Sequence, residues 1–134
     1  MVEKHPIVLV DDDEDDRYIF QEAFLQTECR NPFLQFENGS ILLDFLNKTD
    51  PEHYPCLILL DLNMPMMDGR EVLKNVKSNP QWCHIPVIVF TTSKLEKDRR
   101  IAYALGANCF VSKPSGYHEV LEITRAIALL WCHK

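Results

Sequence analysis

Residues 8–17 read VLVDDDEDDR, three apolar residues followed by six consecutive carboxylates and an arginine. With Ile7 the apolar part becomes the run Ile7-Val8-Leu9-Val10, the pattern of a strand buried on both faces of a parallel sheet. Six like charges repel one another, and those nearest the strand cannot be buried unless a cation offsets them. The stretch therefore predicts a buried strand whose carboxyl end carries an acidic cluster. Open α/β sheets bind their ligands at that end.

The same pattern recurs along the chain. Asp13 to about Glu28 carries Ile19, Phe20, Ala23, Phe24 and Thr27 at helical spacing, and Asn31-Pro32 breaks that helix. Phe33–Phe36 reads as a second strand, and Ile41–Leu46 as a short helix after an Asn38-Gly39 turn with Ser40 as N-cap. Lys48–Pro55 is a polar loop. Cys56–Leu60 is the most apolar strand and runs into Asp61; Asn63–Gly69 is a turn-rich loop, and Gly69–Ser78 a helix stopped by Asn79-Pro80. Val87–Phe90 is a fourth strand leading into Thr91-Thr92-Ser93. A helix over Lys94–Leu105 closes at Gly106, a usual residue just past a helix end. Cys109–Val111 is a short fifth strand before Ser112-Lys113-Pro114, and Tyr117 to Trp131 forms the last helix. Five β-α units predict one α/β domain over 1–134, with a five-stranded parallel sheet, flavodoxin-like order 2-1-3-4-5 and helices on both faces. The chain stops as the fifth helix ends, so no output domain is expected.

Composition narrows the partners. The 134 residues carry 20 acids against 14 bases, and six of those acids sit in the opening run, so the remainder is close to neutral. No basic stripe is present to neutralise phosphates, which argues against nucleic acid as a partner. No stretch approaches the ~20 apolar residues of a membrane span, and the N-terminus does not resemble a signal peptide. Five cysteines at 29, 56, 83, 109 and 132 never form C-x-x-C; reduced, mostly buried thiols in the cytoplasm are expected. The five histidines are scattered and read as surface residues, and Met64, Met66 and Met67 as loop packing.

The residues at the carboxyl ends of the strands are more informative. The first strand ends in Asp11-Asp12, the third in Asp61, the fourth in Thr91 and the fifth in Ser112-Lys113. In the expected order the first and third strands are neighbours ~4.8 Å apart, so three carboxylates meet, with a hydroxyl one strand away and a lysine two strands away. Hard oxygen ligands suit Mg²⁺, which keeps open positions for a phosphoryl group. A lysine and a hydroxyl facing a metal-bound carboxylate form a clamp for a tetrahedral dianion. Asp61 lies at the centre and is the natural nucleophile for a covalent acyl phosphate.

The segments VLVDDD, LILLDLNMPMMDG, PVIVFTTS and ANCFVSKP resemble the receiver domains of bacterial two-component response regulators, over nearly the whole chain. Within that family, TTS and ALGANCFVSKP are most similar to the stand-alone regulators partnered with bacterial phytochromes. The resemblance implies Asp61 as phosphoacceptor from a sensor histidine kinase, and Asp11 and Asp12 as the acidic pair for Mg²⁺. The backbone carbonyl of Asn63 would complete the protein ligands. It implies that Thr91 hydrogen-bonds the phosphoryl group, that Lys113 pairs with it, and that Lys113-Pro114 is a cis peptide. Thr91 and an aromatic on the fifth strand, here Phe110, would form the switch, although Phe lacks the hydroxyl that anchors the outward rotamer of the more common Tyr. Thr92 is bulkier than the residue common there, which is expected to slow phosphoryl exchange. Output would be contact with a downstream protein, and the chemistry that of a signalling domain that resets by hydrolysis, not of an enzyme.

Other readings compete at particular residues. Asp13–Asp16 are expected to begin the first helix and face water, where acids complement the helix dipole. An EF-hand over Asp11 to Glu22 lacks the turn glycine and the preceding helix. A haloacid-dehalogenase-like phosphatase would use Asp11 and Asp13 but leaves Asp61 unexplained, and a relay intermediate passing phosphate to a second histidine protein shares the expected fold. The tail 126–131 (AIALLW) is apolar around more than one face, either tucked into the core or presenting Leu129, Leu130 or Trp131 to a partner or a second copy.

Overall fold

The computed structural model describes residues 5–64 and 68–131. Five parallel strands, β1 (Ile7–Val10), β2 (Phe33–Phe36), β3 (Leu57–Asp61), β4 (Val87–Thr91) and β5 (Cys109–Ser112), form one sheet in the order β2-β1-β3-β4-β5. Helices α1 (Glu14–Leu25), α2 (Gly39–Lys48), α3 (Gly69–Ser78), α4 (Glu96–Ala104) and α5 (Tyr117–Trp131) each come after one strand. The class and strand order are those read from the sequence.

Alternation along the strands divides the core in two. Val8, Val10, Ile58, Leu60, Val87 and Val89 face one side, where they meet Leu42 and Leu46 of α2, Val72, Leu73 and Val76 of α3, and Ala102 of α4. Ile7, Leu9, Leu57, Leu59, Ile88 and Phe90 face the other, against Phe20, Ala23 and Phe24 of α1 and Val120 and Ile127 of α5. Both faces are covered, which is why β1, β3 and β4 are unbroken apolar runs. Each such side chain removed from water contributes about 1.5–3 kcal/mol, and the edge-on Phe20–Phe90 contact at 5.0 Å ties α1 to the strand leading to Thr91.

Local hydrogen bonds move several element ends. The first helix stops at Leu25 rather than near Glu28, because the Gln26 and Thr27 amides turn back to Ala23 and Phe24 and the Thr27 hydroxyl donates to the Phe24 carbonyl at 2.7 Å. α2 begins at Gly39, and its cap is Asn38 rather than Ser40, its side chain accepting from the Ile41 amide at 3.0 Å. The 48–55 loop contains one 3-10 turn, Pro51–His53. Gly106 closes the turn after α4 at φ +106°, and a Cβ there would meet Lys77 Cγ at 2.8 Å.

Met64 is buried in the core as expected, while Met66, Met67 and Cys132 lie outside the described residues. Cys83 is exposed, against the expectation for the thiols; Cys29, Cys56 and Cys109 are half-buried. At the end of α5 the residues divide between core and surface. Ile127 and Ala128 are buried and Trp131 packs on the core, whereas Leu129 and Leu130 are 69% and 73% exposed.

Candidate functional site

Register builds the site. Val10 pairs with Leu60, so Asp11 leaves β1 beside Asp61 at the end of β3; Asp61 pairs with Phe90, which precedes Thr91, and Thr91 pairs with Ser112, which precedes Lys113. The polar residues at the ends of four separate strands thus meet at one sheet edge. Asp11, Asp12 and Asp61 bring ligand oxygens within 4.8 Å of one another, with Asp11 and Asp61 buried and Asp12 exposed.

Each buried carboxylate is held at both oxygens. Asp11 Oδ1 accepts from the Asp13 amide at 2.9 Å and its Oδ2 faces Lys113 Nζ at 2.9 Å. Asp61 Oδ1 accepts from the Asn63 amide at 3.1 Å, and its Oδ2 from Lys113 Nζ at 3.3 Å. Burial nevertheless dominates their proton affinity. It pushes Asp61 up to about 6 and raises Asp11 from the ordinary carboxylate value, although the neighbouring amides and Lys113 pull both back. Burial alone would lower Lys113, but the bonds to Asp16 and Asp11 and the charges of Asp11 and Asp61 outweigh it, and its pKa is raised.

Lys113 reaches this position through a trans peptide. No cis bond occurs among the described residues, so the cis linkage expected at Lys113-Pro114 is corrected. The trans form is the intrinsic preference of an X–Pro bond by about 0.5–1 kcal/mol. It is compatible with the observed anchor, the Lys113 amide donating to the Thr91 carbonyl at 2.7 Å while Nζ meets three carboxylates.

The opening acidic run divides differently from expectation. Asp13 is the N-cap of α1, its side chain accepting from the amides of Asp15 and Asp16, and Glu14 and Asp15 are exposed. Asp16 does not simply face water: its Oδ2 is 2.8 Å from Lys113 Nζ, the shortest of that group's three carboxylate contacts. With Asp13 as cap, Asp16 is the third residue of the helix and turns back over the strand ends, a position the cap assignment alone could have marked. Arg17, which ends the run, donates to the Asp11 carbonyl at 2.7 Å and fixes the end of β1.

Two other contributions were not visible in the chain order. The Asn63 side chain donates to Thr91 Oγ1 at 3.0 Å, in addition to its backbone role beside Asp61. Gly69 opens α3 directly against β3, where a Cβ would lie 2.3 Å from the Asp61 carbonyl oxygen. A glycine at a helix start, where propensity disfavours it, was the signal that could have marked this contact. Thr91 itself is fully buried, and Oγ1 also accepts from the Ser93 amide at 3.2 Å. The Ser93 hydroxyl donates to Asp98 of α4, which takes Arg70 of α3 at 2.9 Å, so a polar chain runs from Thr91 to the neighbouring helices. Phe110 is half-buried against the core and borders a recess of about 400 Å³ with Lys94, Leu95, Glu96, Arg99 and Ser112.

The donors are all hard oxygens, one carboxylate of the three opens to solvent, and a cation would relieve the crowding that burial imposes. This set fits a divalent ion of the Mg²⁺ or Mn²⁺ type. No helix of the described residues is long and apolar enough to cross a membrane.

Comparison with known proteins agrees with the geometry. The response regulator receiver domain family matches residues 7–125. The response regulator Rcp1 of Synechocystis sp. is 34% identical over 128 residues, covering 93% of this chain and 87% of that protein. The crystal structure of the Mn²⁺-bound form of Rcp1 superposes with a TM-score of 0.86 at 34% identity, covering 97% of this chain and 96% of that one. The phosphorylated cyanobacterial phytochrome response regulator RcpA gives 0.87 at 34% identity, covering 96% and 94%. The chain therefore belongs to the receiver domains of two-component response regulators.

Proposed function

We propose that Asp61 accepts a phosphoryl group from a phosphohistidine on a sensor kinase and that the resulting aspartyl phosphate is the signalling state. The observation that carries this reading is the placement of Asp61. It is a buried carboxylate with one oxygen held by the Asn63 amide and the other by Lys113 Nζ, beside two further acidic residues. In the transfer an Asp61 oxygen attacks phosphorus, the P–N bond breaks as the new P–O bond forms, and the imidazole leaves with the electron pair. Holding the nucleophile in one orientation supplies much of the rate, and donors already in place stabilise charge on the phosphoryl oxygens. Lys113 is one such donor. Thr91 becomes a second when its hydroxyl turns from Asn63 towards the phosphoryl group.

Asp11, Asp12 and Asp61, with the Asn63 backbone carbonyl, would hold Mg²⁺, which supplies charge neutralisation on the phosphoryl oxygens when bound. Resetting is attack of water on the aspartyl phosphate. The movement of Thr91 reaches α4 through Ser93 and Asp98, and Phe110 beside the recess responds on the same face, so output is contact with a downstream protein there. Similarity to RcpA, a phytochrome response regulator, supports a phytochrome-type kinase as the phosphodonor, and a cytoplasmic setting accords with that role.

The test is labelling by a small phosphodonor such as acetyl phosphate. Wild type should be labelled only with Mg²⁺, Asp12→Asn should be labelled weakly, and Asp61→Asn should not be labelled. Unchanged labelling of Asp61→Asn overturns the assignment.

A further inference from the structure

Lys113 Nζ lies close to three carboxylates: it donates to Asp16 at 2.8 Å and to Asp61 at 3.3 Å, and forms an ion pair with Asp11 at 2.9 Å. These three acceptors are not equivalent. Asp11 and Asp61 belong to the acidic trio, whereas Asp16 lies outside it on the first turn of α1, with its side chain 35% exposed against 1% and 5% for the other two. A cation entering the trio repels the ammonium group and competes for the charge of Asp11 and Asp61. Asp16 keeps its own charge and already makes the shortest contact. A lysine with no alternative acceptor would stay on the trio and oppose the metal; here it has somewhere to go without leaving the site.

We infer that Asp16 is a positioning residue that receives Lys113 when a divalent cation occupies the acidic trio, so that cation and ammonium can be held at once. The inference rests on the proposed metal site and assigns a role to a carboxylate that site does not use. Asp16 acts through Lys113, so its effect should vanish when Lys113 is removed.

The experiment is a double-mutant cycle on Mg²⁺ affinity, measured by calorimetry without any phosphodonor, for wild type, Asp16→Asn, Lys113→Met and the double variant. Asp16→Asn should weaken Mg²⁺ binding about threefold or more, as expected for loss of a well-formed, partly shielded ion pair. Lys113→Met should tighten binding, and in that background Asp16→Asn should change it by less than about twofold, the effect of one screened charge. An equal loss in both backgrounds, or no loss in either, overturns the inference while leaving the metal site standing. Wild type that binds no Mg²⁺ overturns the metal site and the inference with it. A crystal structure of the wild type with Mg²⁺ gives a second reading free of mutational effects: Nζ should remain on Asp16 and leave Asp11, and Nζ still bonded to Asp11 but not Asp16 contradicts the role.

Discussion

A Cβ on Gly69 would stand 2.3 Å from the carbonyl oxygen of Asp61 and 2.6 Å from Leu62 Cα, so the start of α3 rests directly on the backbone at the end of β3. Both obstacles are main-chain atoms and cannot step aside as a flexible side chain would. Gly69→Ala should therefore cost about 1–3 kcal/mol in urea unfolding, as overpacking does. It should also slow labelling by acetyl phosphate at temperatures where the variant is fully folded. A stable variant with wild-type labelling would show that the contact positions nothing.

The bond from Asn63 Nδ2 to Thr91 Oγ1 holds the hydroxyl in its present place. Breaking it is part of the movement assigned to Thr91, and a hydrogen bond of this kind is worth roughly 1 kcal/mol. Asn63→Ala should raise the steady-state fraction phosphorylated at a subsaturating donor concentration, by up to about fivefold in the equilibrium ratio. Phosphate-affinity electrophoresis reads this directly, and an unchanged or lower fraction argues against Thr91 being restrained by Asn63.

Stability should depend on pH in opposite senses with and without metal. Burial raises Asp61 from 3.8 to about 6, and Asp11 shifts in the same direction. A carboxyl that binds its proton more tightly in the folded state favours folding at low pH. That contribution is complete below about pH 4 and is lost as pH rises through about 6, amounting to roughly 3 kcal/mol for Asp61 at most. Mg²⁺ needs the ionised carboxylates, so the gain in Tm on adding it should grow across the same interval. Thermal melts in EDTA and in excess Mg²⁺ from about pH 4 to 7 measure both trends. A gain from Mg²⁺ that is flat with pH contradicts the pairing of metal with these carboxylates.

Lys77 offers a stability test remote from the site. Its Nζ donates to the carbonyls of Cys83 and Ile85 and to Asn108 Oδ1 at 3.1, 2.7 and 3.0 Å, joining α3 to the loops before β4 and β5. Lys77→Met leaves these acceptors to find other partners and should destabilise the fold by about 1–3 kcal/mol, while labelling of the folded protein is unchanged. Loss of labelling in the folded variant would mean that the base of the sheet is coupled to its acidic edge.

The sheet and most of the site were legible in the chain because both depend on short-range pattern. Ile7–Val10 and Leu57–Asp61 are apolar almost without interruption, since helices cover both faces, and that fixes their central position. Once strand order is set, Asp11, Asp61, Thr91 and Lys113 must converge, because each comes directly after or at the end of its strand. What remained hidden depends on direction rather than position. Asp16 and Asp15 are adjacent acids of one helical turn, yet one turns to Lys113 and the other faces water. Asn38 and Ser40 are both good caps, and only the path of the chain selects Asn38. The peptide before Pro114 is a choice between forms separated by little energy, and the residues around it in the chain do not mark which one is taken.

Residue 61 is proposed to carry the phosphoryl group, and this can be read at the residue itself. Borohydride reduction of the acetyl-phosphate-treated protein, followed by peptide mass spectrometry, marks the modified carboxyl directly. The mark should fall on Asp61, require Mg²⁺ during phosphorylation and disappear in Asp61→Asn; a mark on Asp11 instead, as a dehalogenase-like phosphatase would give, contradicts the account.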